Sequence, residues 1–230
     1  YTISNDGLTY RLTFNEAGLT AMQTRTVEQS IEIIRRRLDP EGTKEPVIQR
    51  QGLDRILVQL PGVDDPEAVK RLLGRTAKLT FQLVGMRISP TEATQRGRTP
   101  PGSILLQSAS DDGRSYVIEK RVMVSGEMLD GATATFDQNN RPAVSFTLSA
   151  AGARRFGKVT GENIGRPFAI ILDGKVVSAP TIQSQIFGSG QITGDFSVAE
   201  TNELALVLRA GALPAPLIIL EERSIGPGLG

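Results

Sequence analysis

The sequence predicts an α+β protein of two lobes, each with the order β-α-β-β-α-β, the second entered through a loop-rich insertion. Three observations carry that reading. Strand-like alternation and helix-like periodicity follow one another in that order over residues 1–85. A stretch rich in glycine, proline and aspartate then interrupts them over 86–115. The same order resumes over 116–224, although the residues of the two halves are not alike.

In the first lobe, Tyr10, Leu12 and Phe14 alternate with Arg11 and Thr13, the two-residue period of a half-buried strand. Thr26-Val27-Glu28-Gln29 has the form of a capping box, and Val27, Ile31, Ile34 and Leu38 fall on one helical face. Asp39-Pro40-Glu41-Gly42 ends that helix. Arg35-Arg36-Arg37 stands near its end, where cations suit the helix dipole, and reads as a solvated face. Residues 47–51 and 55–60 form a hairpin about Gly52-Leu53-Asp54, with Ile56, Val58 and Leu60 on one side. Asp65 caps a second helix, Pro66 suits its first turn and Gly74 lies at its end. Leu79, Phe81 and Leu83 alternate in a closing strand. Two helices on one face of a four-stranded antiparallel sheet is the ferredoxin-like arrangement.

Ser89-Pro90, the run Gly97-Arg98-Thr99-Pro100-Pro101-Gly102 and Asp111-Asp112-Gly113 mark turns, so 86–115 reads as a joint between lobes. Ile104-Leu105-Leu106 and Tyr116-Val117-Ile118 can pair across the last of these turns, and 122–124 can extend that sheet.

The second lobe opens with a strand over 143–148 and a helix whose face holds Leu148, Gly152, Phe156 and Val159. Residues 168–172 and 176–179 flank Asp173-Gly174-Lys175, a strong hairpin signal. A strand over 181–187 is expected next, then the turn Gly188-Ser189-Gly190 and Gln191-Ile192-Thr193. Ser197-Val198-Ala199-Glu200 is a capping box opening a helix with Leu204, Val207 and Leu208 on one side and Gly211 as its stop. A final strand is expected over 217–220.

Composition excludes much chemistry. With neither cysteine nor histidine, the 230 residues hold no disulfide, thiolate zinc site, cysteine nucleophile or histidine acid–base pair. Lys plus Arg is 26 against 25 acidic residues, a balance that gives no long-range field toward nucleic acid or an anionic bilayer. The apolar run 216–220 falls far short of the ~20 residues that cross a bilayer. A start at Tyr1 without initiator Met or signal peptide, and a glycine-rich tail at 225–230, read as an excised piece.

Each adjacent carboxylate pair has a plain explanation. Asp65 of the pair Asp64/Asp65 is a cap, Asp112 of Asp111/Asp112 belongs to a turn, and Glu221 and Glu222 point to opposite faces of a strand. No phosphate loop or nucleophile elbow is present, and Gly226, Gly228 and Gly230 open no helix. At 5% aromatics, with none in Arg55-Ile56-Leu57-Val58-Gln59, a base-stacking sheet is not expected. The expectation is therefore a non-enzyme without cofactor, metal or nucleic acid. A surface for extended polypeptide is left, with Met128, Phe136, Phe168, Ile182, Ile186 and Phe187 as contact candidates wherever they are exposed rather than core.

The chain also resembles a known family. Ile33-Ile34-Arg35-Arg36-Arg37-Leu38, Glu45-Pro46 and Ile56-Leu57-Val58-Gln59-Leu60-Pro61-Gly62 are similar to the opening segment of the first large periplasmic domain of the SecD family. Phe136-Asp137, Arg141-Pro142-Ala143-Val144, Gly152-Ala153, Asn163-Ile164-Gly165, Ala169-Ile170-Ile171-Leu172-Asp173-Gly174, Ser178-Ala179-Pro180, Leu208-Arg209-Ala210-Gly211-Ala212-Leu213-Pro214 and Glu221-Glu222-Arg223 occur in that family's order. Residues 86–130 match poorly.

That resemblance implies a base over 1–85, a head over 116–224 and a tail at 225–230 leading to a transmembrane helix. It implies placement on the periplasmic side of the bacterial inner membrane, with SecF, the SecYEG channel and unfolded preprotein as partners. The proton-motive force would act through transmembrane segments outside this sequence, which also make the only membrane contact. Hinge candidates are Gly85, Pro90, Pro100, Pro101 and Gly226. An alternative boundary returns the last helix and strand to the base. The rival reading is a small-ligand sensor or assembly module on paired ferredoxin-like folds, with a polar pocket between lobes.

Overall fold

The computed structural model describes residues 2–7, 9–43, 45–63, 65–110 and 112–223. The chain opens with β1 (Thr2–Asp6) and β2 (Thr9–Thr13), paired antiparallel with Ile3 opposite Leu12 and Asn5 opposite Tyr10. The expected alternation is there, but Ile3, Tyr10 and Leu12 stay exposed instead of half-buried. Helix α1 (Glu16–Leu38) starts ten residues before the predicted capping box, because Asn15 Oδ1 accepts the Gly18 N–H at 2.8 Å and caps it there. Strands β3 (Val47–Gln51) and β4 (Arg55–Gln59) make the expected hairpin, with Ile48 opposite Val58. Asp65 caps α2 (Pro66–Gly74), its Oδ1 accepting the Ala68 N–H at 3.0 Å with Pro66 in the first turn. Ile34, Leu38 and Ile48 pack with Ile56, Val58 and Leu72 as the core of this first unit.

The remaining elements are β5 (Leu79–Leu83), α3 (Pro90–Gln95), β6 (Ser103–Gln107), β7 (Ser115–Glu119), β8 (Val124–Ser125), β9 (Leu129–Phe136), β10 (Pro142–Leu148) and α4 (Ala150–Glu162). They continue as β11 (Phe168–Leu172), β12 (Lys175–Ser178), β13 (Ser189–Thr193) and α5 (Val198–Ala210). Ser197 opens α5 with the full capping box that the sequence predicts.

The α+β class holds, but the strands group differently from two ferredoxin-like sheets. Among the described residues β3 and β4 pair with each other, while β5 lies inside a four-stranded sheet of order β12-β11-β5-β8. The strand expected to close the first lobe is thus central to the second unit, with Phe168 opposite Leu83 and Ile170 opposite Phe81. Its composition explains the choice. Leu79, Phe81 and Leu83 enter one core, and Thr80 and Gln82 on the other side are buried as well, so every position is covered as in an interior strand.

Strands β13, β10 and β9 form a second sheet in that order, and α5 lies against β9 and β10. Between the sheets sits a cluster of phenylalanines. The Phe81 ring lies 5.3 Å from Phe146, 5.6 Å from Phe156 and 6.0 Å from Phe168, centroid to centroid. On the far side of the β5 sheet, Ile118, Ala169, Ile171 and Val176 pack with Ile104, Leu106 and Tyr116 of the β6–β7 hairpin. Two predicted strands are not formed. Residues 181–187 contribute a single bridge, Thr181 to Pro167, and 217–220 are irregular with Ile218 and Leu220 exposed.

Candidate protein-binding surface and interlobe joint

Segment 183–188 runs from β12 toward β13 as a strap across α4. The sequence permits this because α4 presents Gly157 and Gly161 where the strap crosses. A methyl group on Gly157 would lie 2.8 Å from the Phe187 ring, so a side chain there would have to displace that ring. The Ile186 N–H donates to Thr160 Oγ1 at 2.9 Å, and Gln185 Nε2 donates to the Gly157 carbonyl at 3.1 Å. Ala153, Arg154, Lys158, Gly161, Gln185 and Phe187 line a shallow groove along this edge.

The contact candidates separate on burial. Phe168 and Ile182 are both 4% exposed and belong to the core rather than the surface. Phe168 is drawn in by the ring cluster, and Ile182 by the hydrogen bonds of its backbone to 165–166. Met128 and Ile186 are half-buried against the same core. Phe136, at 52%, and Phe187, at 68%, stand in solvent. Phe187 and Ile186 share the strap, whereas Phe136 lies at the end of β9.

Between the two cores lie two charged residues, Arg37 and Asp173, whose long-range contacts differ from the solvated face and local turn expected of them. Arg37 is 1% exposed, not part of a solvated face. Its Nη1 donates to the carbonyls of Leu72, at 2.8 Å, and Arg75, and its Nη2 to those of Thr76 and Gly211, both at 3.3 Å. These are carbonyls of the last turn and exit of α2 and of the C-cap of α5, which have no partner within their helices. Burial holds the Arg37 guanidinium down at about 10, with the Asp173 charge acting in the opposite sense. Asp173, at the β11–β12 turn, accepts from the Ala77 N–H at 3.1 Å, the Lys78 N–H at 2.8 Å and the Thr76 hydroxyl. The Asp173-Gly174 pair signals the turn, with φ of 49° and 81°, but its carboxylate's long-range role has no local signature. The triple-arginine run could have drawn attention to Arg37 only through position, since Arg37 follows Ile34 by three residues on the buried face of α1.

The hinge candidates Gly85, Pro90, Pro100 and Pro101 lie apart from Arg37 and Asp173 in the chain. The Gly85 N–H donates to the Val117 carbonyl at 2.8 Å, Pro90 opens α3, and Pro100 accepts from the Ser103 N–H at 3.0 Å. Gly85, Pro90, Pro100 and Pro101 thus belong to a segment folded onto the second unit, while Gly226 lies outside the described residues. The chain passes between the two cores at 75–78 and at 211–217, where the Leu213 N–H donates to the Thr76 carbonyl at 2.9 Å and Leu217 enters the first core.

The carboxylate pairs do not converge into a site. Asp112 turns the chain toward Arg114, and Glu222 pairs with Lys70 at 2.7 Å; Asp64 and Asp111 lie outside the described residues. No group of metal-ligating side chains and no helix long and apolar enough to cross a membrane occurs among the described residues.

Two family descriptions match the chain, one over most of each of the two hydrophobic cores. The family described as SecDF, P1 head subdomain, matches residues 103–215, and that described as Protein translocase subunit SecDF, P1 domain, N-terminal, matches residues 27–86. The class is therefore the P1 domain of a protein translocase subunit.

Protein translocase subunit SecD of Rickettsia felis is 49% identical over 96% of the chain and 43% of its own length. That of Rhodobacter capsulatus is 48% identical over 100% of the chain and 41% of its length. The solved structure titled "Structure and function of a membrane component SecDF that enhances protein export" matches with a TM-score of 0.70 and 34% identity, over 88% of this chain and 94% of that one. The chain belongs to the SecD/SecDF protein translocase family. It spans about two-fifths of the length of these curated relatives, whose name describes a transport subunit.

Proposed function

We propose that this domain works on the periplasmic face of the bacterial inner membrane, where its second unit grips unfolded preprotein emerging from the export channel and moves relative to the first. Phe187 carries the reading. A large apolar side chain 68% exposed on a strap, beside half-buried Ile186, offers the kind of side-chain-tolerant contact that an extended polypeptide can use. Met128 and Phe136 are further contact candidates, set apart from the strap. Membership of a protein translocase family supports the export role.

In this reading the base is the α1, β3–β4 and α2 unit together with 212–217, and the head is the body built on the phenylalanine cluster. The sequence of contacts supports the division, because the two cores share no residue and the chain links them at 75–78 and 211–217. SecF and SecYEG are the proposed partners in the parent assembly, and the proton-motive force is coupled through membrane segments outside this chain.

A photocrosslinking residue at Phe187 in the full-length protein, in membranes with a stalled export substrate, should label that substrate. The same probe at Ser110, on the β6–β7 side of the molecule, should not. Labelling confined to the channel, or equal from both positions, sinks the capture role.

A further inference from the structure

Arg37 reaches beyond the first unit, because one of its four carbonyl partners is Gly211 at the C-cap of α5. It is among the largest fully buried side chains, and its Nε is enclosed without a partner. A buried guanidinium is costly unless its donors are met, and here four carbonyls meet the two terminal nitrogens. Three of those carbonyls belong to α2 and its exit, and the fourth to the C-cap of α5. Arg37 itself lies in the last turn of α1. Two helix C-termini, those of α2 and α5, therefore present carbonyls to one cation carried by a third helix. The opposing carboxylate, Asp173, comes from the second unit and holds the backbone amides of Ala77 and Lys78, the residues immediately after the Arg37-bound carbonyls.

We infer that Arg37 is the positioning residue of the joint: its guanidinium, with Asp173 on the other side of 75–78, fixes the angle between the two units. This rests on the reading that the units move. The fork geometry matters. A guanidinium satisfies carbonyls diverging from two helices at once, whereas an ammonium is a compact point charge that reaches fewer of them. Either crossing of the chain alone would leave the first unit free to swing. The shared cation ties both crossings to α1, so reorientation requires exchanging these hydrogen bonds together. That is the behaviour of an element with two discrete arrangements and not of a loose linker.

The native chain has no cysteine, so spin labels at Glu28→Cys on α1 and Asn139→Cys at the β9–β10 turn report the angle without background. Both positions are exposed. In the native background the distance distribution should be narrow. Arg37→Met and Arg37→Lys should each widen it by about two-fold or more, and amide exchange at Ala77 and Lys78 should quicken by about ten-fold. Protection of Phe81 and Ile170 in the central sheet should be unchanged. If the methionine variant fails to fold, the lysine variant carries the test alone. A lysine variant of native width, or loss of protection at Phe81 and Ile170 in both variants, overturns the inference; the latter would make Arg37 a stability residue of the whole chain. Since no preprotein is present, failure here leaves the capture reading standing, and failure of crosslinking at Phe187 leaves this one standing.

Discussion

The Ile186 N–H donates to Thr160 Oγ1 at 2.9 Å, so a fully buried hydroxyl in the last turns of α4 anchors the strap that bears the most exposed phenylalanine. The same hydroxyl donates back to the Phe156 carbonyl at 2.8 Å. Thr160→Val keeps the shape and removes the acceptor, which leaves the strap amide unpaired. We expect a loss of about 1–2 kcal/mol in denaturant unfolding and faster exchange of the Ile186 amide. Unchanged exchange there would show that the bond does not hold the strap.

Two phenylalanines offered by the sequence as contacts should behave oppositely. Phe168→Ala empties part of the ring cluster and should cost about 3–5 kcal/mol. Phe187→Ala, at a largely solvated site, should change stability by no more than about 1 kcal/mol. Urea unfolding of both variants distinguishes core from surface. Comparable losses would mean that Phe187 is held more tightly than its exposure indicates.

Gly190 lies under the Phe146 ring, where an added Cβ would sit 2.6 Å from the ring carbon Cζ. Its neighbour is a packed aromatic and cannot give way freely. Gly190→Ala should therefore destabilise by about 1–3 kcal/mol through displacement of Phe146. A variant as stable as the native chain would show that β13 can shift without cost.

Acid should weaken the fold through two carboxylates. The Asp137 carboxyl is held below the usual carboxylate range first by the Arg141 N–H, then by the Asn139 N–H and the Arg141 charge. Glu200 is lowered by the Ser197 N–H and hydroxyl, with the Arg75 charge adding to it. A pKa lower in the folded than in the unfolded state means the stabilisation is complete above the unfolded value, about 4, and is lost as pH falls through the folded one. Unfolding midpoints should thus decline below about pH 4, and Asp137→Asn should flatten part of that decline. A slope unaltered in Asp137→Asn would remove Asp137 from the account.

Local signals were legible wherever the chemistry was local. The Ser197-to-Glu200 capping box, the Asp65 cap with Pro66, and the Asp173-Gly174 turn each rest on contacts a few residues apart, so the sequence contains both partners side by side. Asn15 shows the boundary of that method. The helix starts at the earlier signal, because the Asn15 side chain takes up the Gly18 N–H and the Thr26 pattern then falls inside the helix.

The amino-acid order by itself determined the class of fold, the identity of most helices and hairpins, the absence of thiol and imidazole chemistry, and the family likeness. Only the tertiary structure decided that β5 joins β11, that Phe168 and Ile182 are core while Phe187 is surface, and that Arg37 is buried at the junction of three helix ends. The reason is range. A cap or a turn is settled by neighbours in the chain, whereas the partners of Phe81, Asp173 and Arg37 lie from tens of residues to 174 residues away, and no period in the sequence encodes which distant surface will meet them.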